Sequence, residues 1–229
     1  MKQTLRLTNV LNDQTRLNIY EYIMKKHDEV TVQEIAREFH IHPNVARLHL
    51  SKLEEVNMII SQTRKTGKGG RPYRVYRLSD HVIELYFPFR DYQLLAKIAL
   101  ETLASLGTAG DEALARTGKR FGQEMIQRLY DEQEEKTLTT NQKMNLLKEA
   151  SVMLGLNPEF YYDEEEKSVV MKIFNCPFKE LANEHSLILC NMHANFIRGM
   201  FDVLFEHFEL KESENMFSGC DACTYQASL

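Results

Sequence analysis

Residues 31–55 read TVQEIAREFHIHPNVARLHLSKLEE, and this stretch decides the fold of the N-terminal third. Thr31 is an N-cap residue with Glu34 three positions on, the pattern of a capping box. Val32, Ile35 and Ala36 then fall on one face of a short helix. His40-Ile-His42 makes a turn, and Pro43 stands at the first position of a second helix, where its missing N–H costs nothing. Ala46, Leu50 and Leu53 give that second helix a buried face with steps of four and three. The opposite face carries Asn44, Val45, Arg47, Leu48 and Ser51. Two short helices in this order, the first bracing the second, make a helix-turn-helix whose second helix enters the major groove of DNA.

Outward from this core, residues 5–24 carry apolar residues at helical spacing and predict one preceding helix. Residues 58–62 and 73–78 have strand character and flank a Gly-rich tip. Between Ser61 and Leu78 stand six basic residues, Arg64, Lys65, Lys68, Arg71, Arg74 and Arg77, and no acidic one. A basic β-wing beside a reading helix is placed to contact phosphates or the minor groove. Asn44 and Arg47 suit base edges, Asn pairing with adenine and Arg with guanine. Val45, Leu48, Ser51, Lys52, Arg64, Lys65, Lys68 and Arg71 complete the expected DNA-binding set. His49 and Lys52 are expected to pack at the flank or to touch phosphate.

The charge distribution agrees. The chain has 229 residues and a net charge of −5, but residues 1–80 carry 14 basic and 9 acidic side chains, a net of +5. The remainder carries 14 basic and 24 acidic, a net of −10. The front faces a polyanion and the back does not. No apolar run approaches a membrane span and no signal segment opens the chain, so a cytoplasmic protein without membrane attachment is expected.

Behind the wing, residues 90–106, 111–134 and 139–154 read as helices, residues 160–162 and 168–174 as strands, and residues 177–184 and 186–208 as helices. A closing strand is expected at 223–228. The predicted fold is mainly α with small β elements, α+β overall. A winged helix-turn-helix spans residues 1–80, connector and dimerisation helices span 81–135, and a cysteine-bearing α+β sensor domain spans 136–229. The stripe from Tyr92 to Leu106 suits either core or the seam of a homodimer, and the seam is favoured because winged-helix regulators read paired half-sites.

All four cysteines, Cys176, Cys190, Cys220 and Cys223, lie in the last quarter. Without a secretory signal, such clustering points to metal, cluster or redox chemistry. Cys176, just before Pro177, is expected at a helix N-terminus that favours thiolate. Only one close pair exists, so the spacing fits no common zinc finger, and separated thiolates suit an iron–sulfur cluster assembled between loops. Zinc, or oxidisable thiols, remain alternatives. His193, one turn after Cys190, could reach a metal, although a packed histidine is the commoner outcome. An enzyme is not expected: Cys220-x-x-Cys223 lacks the βαβ setting of a thiol oxidoreductase, and no phosphate loop or triad is present.

Asp13-Gln-Thr-Arg-Leu17, the helix pair, and Gly69-Gly-Arg-Pro-Tyr-Arg-Val-Tyr-Arg-Leu-Ser79 resemble the ArsR-like winged-helix regulators over residues 5–80. Asn175-Cys-Pro-Phe178, Cys190 and Cys223-Thr-Tyr-Gln226 resemble the Suf-operon repressor type within that group. The resemblance implies a repressor controlled by a C-terminal iron–sulfur cluster of the 4Fe-4S kind. It implies Cys176, Cys190 and Cys223 as cluster ligands, with Cys220 as the fourth ligand, a spare thiol or a replacement for Cys223. A regulator of the same fold sensing zinc, thiol oxidation or a small ligand is the alternative function.

Overall fold

In a computed structural model, the chain divides into two compact units, Met1–Arg90 and Asp91–Leu229. The structure describes residues 2–65, 72–80, 82–83, 88, 90–130 and 138–229. The overall class is as expected, mainly helical with small antiparallel sheets. The expected three-way division is replaced by two units: the helices assigned to a separate dimerisation segment pack into the second unit.

The first unit runs α1 (Lys2–Leu11), α2 (Gln14–Lys26), β1 (Val30–Thr31), α3 (Val32–Glu38), α4 (Pro43–Glu55), β2 (Ile59–Arg64) and β3 (Tyr73–Leu78). The single helix expected over 5–24 is broken at Asn12–Asp13. There Asp13 takes extended geometry and accepts the Arg16 N–H at 2.9 Å, capping α2. Arg16 reaches back to Val10 O at 2.6 Å, which fixes the corner between the two helices. Thr31 caps α3 by accepting the Glu34 N–H. The Glu34 carboxylate turns to Lys26 and the Tyr22 hydroxyl.

β3 lies between β1 and β2 in a three-stranded antiparallel sheet, with Ser61 opposite Tyr76 and Val30 opposite Tyr76 on its other side. Ile19, Ile23, Ile35, Leu50, Leu53, Ile59 and Tyr76 fill the core between helices and sheet. Burying each large aliphatic contributes about 1.5–3 kcal/mol, which is how so small a unit holds α4 in place.

The second unit runs α5 (Tyr92–Ser105), α6 (Thr108–Leu129), α7 (Thr140–Met153), β4 (Pro158–Asp163), β5 (Ser168–Ile173), α8 (Lys179–Leu204), β6 (Glu209–Glu214), a 3-10 turn at Met216–Ser218, and β7 (Cys223–Ser228). Thr139 and Gln142 form a reciprocal capping box on α7. The two helices expected over 177–208 are one helix kinked at His185, whose φ of −135° and ψ of 44° are not helical. The sheet is antiparallel with order β4-β5-β7-β6, so the last strand is central and β6 is an edge.

α6 and α8 run side by side in the same direction at very short range. An added Cβ on Gly122 would fall 1.9 Å from Phe196 O, and one on Gly199 would fall 2.0 Å from Lys119 O. Ile126, Ile197, Met200 and Phe201 of this pair pack with Val169, Met171 and Tyr225 of the sheet.

Candidate DNA-reading face and thiol site

α4 starts cleanly because His42 accepts the Asn44 N–H on its side chain and Pro43 follows. Its inner face is Ala46, His49, Leu50 and Leu53, all buried. His49 is thus a core residue, 3.9 Å from Asp13. The outer face exposes Asn44, Val45, Arg47 and Leu48, with Ser51 and Lys52 half-buried. Arg47 Nη1 donates to Asn44 Oδ1 at 2.9 Å, and Lys52 pairs with Glu55 at 2.8 Å.

The described wing arginines are also partnered within the unit. Arg64 pairs with Glu29 at 2.8 Å, Arg74 with Glu54 at 2.9 Å and with the Ser61 hydroxyl, and Arg77 with Asp80 at 3.2 Å. Exposed pairs of this kind contribute about 0–1 kcal/mol, so exchanging a carboxylate for a phosphate is inexpensive. Lys65 is exposed at the end of β2. Lys68 and Arg71 of the expected set lie outside the described residues.

In the second unit, topology gathers three of the four thiols. Cys176 lies in the loop after β5, Cys190 on α8 beyond the kink, and Cys223 at the start of β7 opposite Ile173. The three are close enough that charge on Cys176 and Cys190 raises the Cys223 pKa. The Met216 N–H donates to the Cys223 sulfur at 3.4 Å, and the Phe178 N–H and the Asn215 side chain lie near enough to the Cys176 and Cys190 sulfurs to lower their pKa values against the effect of burial. Asn215 is itself held by Glu212 at 2.6 Å and by the Phe217 N–H.

Burial pushes all three thiols above their ordinary value, Cys223 to about 11. This corrects the expectation of a helix-terminal thiolate at Cys176. α8 begins at Lys179 with Phe178 as its N-cap, so Cys176 stands outside the terminus and loss of solvent outweighs the amide bond. Cys220 is half-buried on the turn before β7, with its own N–H directed to Asn215 O.

His193 is buried and stacks edge-to-face on Phe178 at 5.4 Å. Burial drives its pKa down to about 4, so it packs as a neutral ring. A histidine depressed in this way stabilises the fold above its unfolded pKa near 6.5, and the stabilisation is lost as pH falls toward 4. Unfolding in urea at stepped pH is expected to show a loss of about 3 kcal/mol over that window. His193→Phe is expected to flatten it.

Sequence reading also missed a surface group. Glu101, Glu184 and His185 bring their donor atoms within 4.8 Å of one another, beside a Lys97–Glu184 pair at 2.6 Å.

The fold and the reading face define a DNA-binding regulator of the helix-turn-helix class, and residues 11–62 match the family model of a helix-turn-helix domain. Residues 98–227, more than half of the chain, match methanogen output domain 1, and the chain belongs to that family. No curated protein matches the chain. Among solved structures, a trafficking protein particle complex subunit 3 from Naegleria fowleri, covalently bound to palmitic acid, aligns at 15% identity. The alignment covers 59% of this chain and 95% of that one, with a TM-score of 0.41. Among the described residues no helix is long and apolar enough to cross a membrane.

Proposed function

We propose that the protein is a cytoplasmic transcriptional repressor whose operator binding is set by a metal cofactor on the thiols of the second unit. The observation that carries this reading is the gathering of Cys176, Cys190 and Cys223, with the Met216 N–H donating to the Cys223 sulfur. Hydrogen bonds of that kind stabilise sulfur anions and tune iron–sulfur clusters.

Separated thiolates suit an iron–sulfur cluster, the 4Fe-4S type included, and this is the reading we favour over a single zinc ion. Zinc holds thiolates at about 2.3 Å, so its sulfurs must crowd together. Cys220, on the same turn, is the remaining sulfur donor. Bound there, a cluster supplies a redox-sensitive and oxygen-sensitive link between the loop after β5, α8 and the start of β7. The chain's own part is to hold that link under amide donors and beside the core residues Met171 and Tyr225.

A homodimer completes the reading. Tyr92, Leu94, Leu95, Ile98 and Leu106 are exposed large apolar residues on or just beyond α5, and a second copy would cover them. A coupling of about 1–3 kcal/mol between thiol site and DNA affinity is enough for control. The zinc and thiol-oxidation readings predict a colourless protein. Visible spectra and iron, sulfide and zinc analysis after oxygen-free purification decide between them, and stoichiometric zinc without iron would end the cluster reading.

On the DNA side, Arg47→Ala is expected to relax base preference, at a cost of about 1–3 kcal/mol on the preferred duplex. Arg64→Ala or Lys65→Ala should instead weaken binding to every sequence and reduce its salt dependence. Titrations of preferred and scrambled duplexes at several salt concentrations separate the two patterns.

A further inference from the structure

We infer that α4 selects its operator through thymine methyl groups packed on Val45 and Leu48, next to a guanine edge read by Asn44 and Arg47 as one donor unit. The inference rests on the regulator reading above and adds the chemistry of the bases.

Val45 and Leu48 are one helical turn apart on the outer face of α4 and are 41% and 56% exposed. Their helical neighbours on that face are polar or cationic. The flanking wing carries a run of basic residues without an acidic one. A polyanion is therefore the partner that the surroundings match, and an aliphatic pair inside such a surface needs an apolar feature on that polyanion. In the major groove of duplex DNA the base edges offer one, the thymine C5-methyl.

The Asn44–Arg47 bond decides the second base. Reading adenine takes both halves of an asparagine amide, Oδ1 accepting and Nδ2 donating. Here Oδ1 already accepts from Arg47 Nη1 at 2.9 Å. With one lone pair of Oδ1 taken and the amide turned toward Arg47, what the pair offers in excess is donors, Asn44 Nδ2 and the other N–H groups of Arg47. Two acceptors side by side, N7 and O6, are what guanine presents. Asn44 precedes Leu48 by one turn, so guanine and thymine contacts fall on neighbouring positions of one half-site.

The test starts from the full chain, purified without oxygen, and selection from a random duplex pool. Enriched duplexes are then remade with deoxyuridine for each thymine, which removes only the methyl, and with 7-deazaguanine for each guanine. Wild-type binding is expected to fall about fourfold for each contacted methyl lost. It should also fall at the 7-deazaguanine position. Leu48→Ala should lose the discrimination between thymine and deoxyuridine at the position Leu48 contacts while keeping that at Val45, and because Leu48 is exposed its removal leaves the core untouched. An enriched duplex bound equally with thymine and deoxyuridine overturns this inference and leaves the regulator reading standing. Failure to enrich any duplex, as when the face docks a protein instead, overturns both.

Discussion

Alanine at Gly122 is expected to destabilise the second unit by about 3 kcal/mol or more, although alanine is the better helix former. Helix propensity favours the substitution by about 1 kcal/mol. Against that, the new methyl would sit 1.9 Å from Phe196 O and 3.1 Å from Met200 N. These are main-chain atoms of α8, so no side-chain rotation relieves the overlap. α8 would have to move away along its length, loosening Ile126, Ile197, Met200 and Phe201 against the sheet. Gly199→Ala meets Lys119 O at 2.0 Å and should behave alike. Gly107→Ala is the comparison: its φ of +60° strains any side chain, yet nothing stands within 4 Å, so about 1–2 kcal/mol is expected. Urea unfolding followed by circular dichroism reads all three, and a Gly122→Ala midpoint at or above wild type would mean that α6 and α8 do not touch backbone to backbone.

That close approach was open to view in the sequence as Gly118-Lys-Arg-Phe-Gly122, a small-xxx-small step, but the polar character of α6 hid it. The reading pair α3 and α4 was legible because Thr31, Pro43 and the apolar steps all spoke for the same boundaries, each from a different physical cause. The break between α1 and α2 was not, since Val10, Leu11 and Leu17 keep an apolar stripe across it; the cap at Asp13 was the signal to use. β6 escaped because Glu209–Glu214 holds a single large apolar residue, Leu210, as befits an edge strand guarded by charge. The thiol trio was legible as a set of residues and not as a place. Forty-six residues of chain separate Cys176 from Cys223 or lie between them in α8 and β6, and only the central position of β7 in the sheet closes that distance. The ion pairs of the wing depend on Glu29 and Glu54, which come from other elements, so no local pattern announces them.

Cys190→Ser is expected to abolish cofactor retention with little loss of fold, and among the cysteine variants it gives the cleanest answer. Cys190 is partly exposed on α8, so a serine hydroxyl there can reach water. Cys223 lies in the main core beside Ile173 and Tyr225, where an unpaired hydroxyl costs about 1–3 kcal/mol. Iron lost from Cys223→Ser could thus reflect loosened packing as well as a missing ligand. Cys176 is buried too, and its variant should be read beside its unfolding curve. Cys220→Ser, a substitution at a half-buried turn position, tests the fourth place: loss of iron and visible absorption would make Cys220 a ligand, and full retention would leave it a spare thiol. Loading should also release protons and weaken as pH falls, because the three sulfurs start as neutral thiols. If Cys190→Ser held as much iron and sulfide as wild type at neutral pH, the meeting of the three thiols would be core packing, and control of the reading helix would have to come from elsewhere in the second unit.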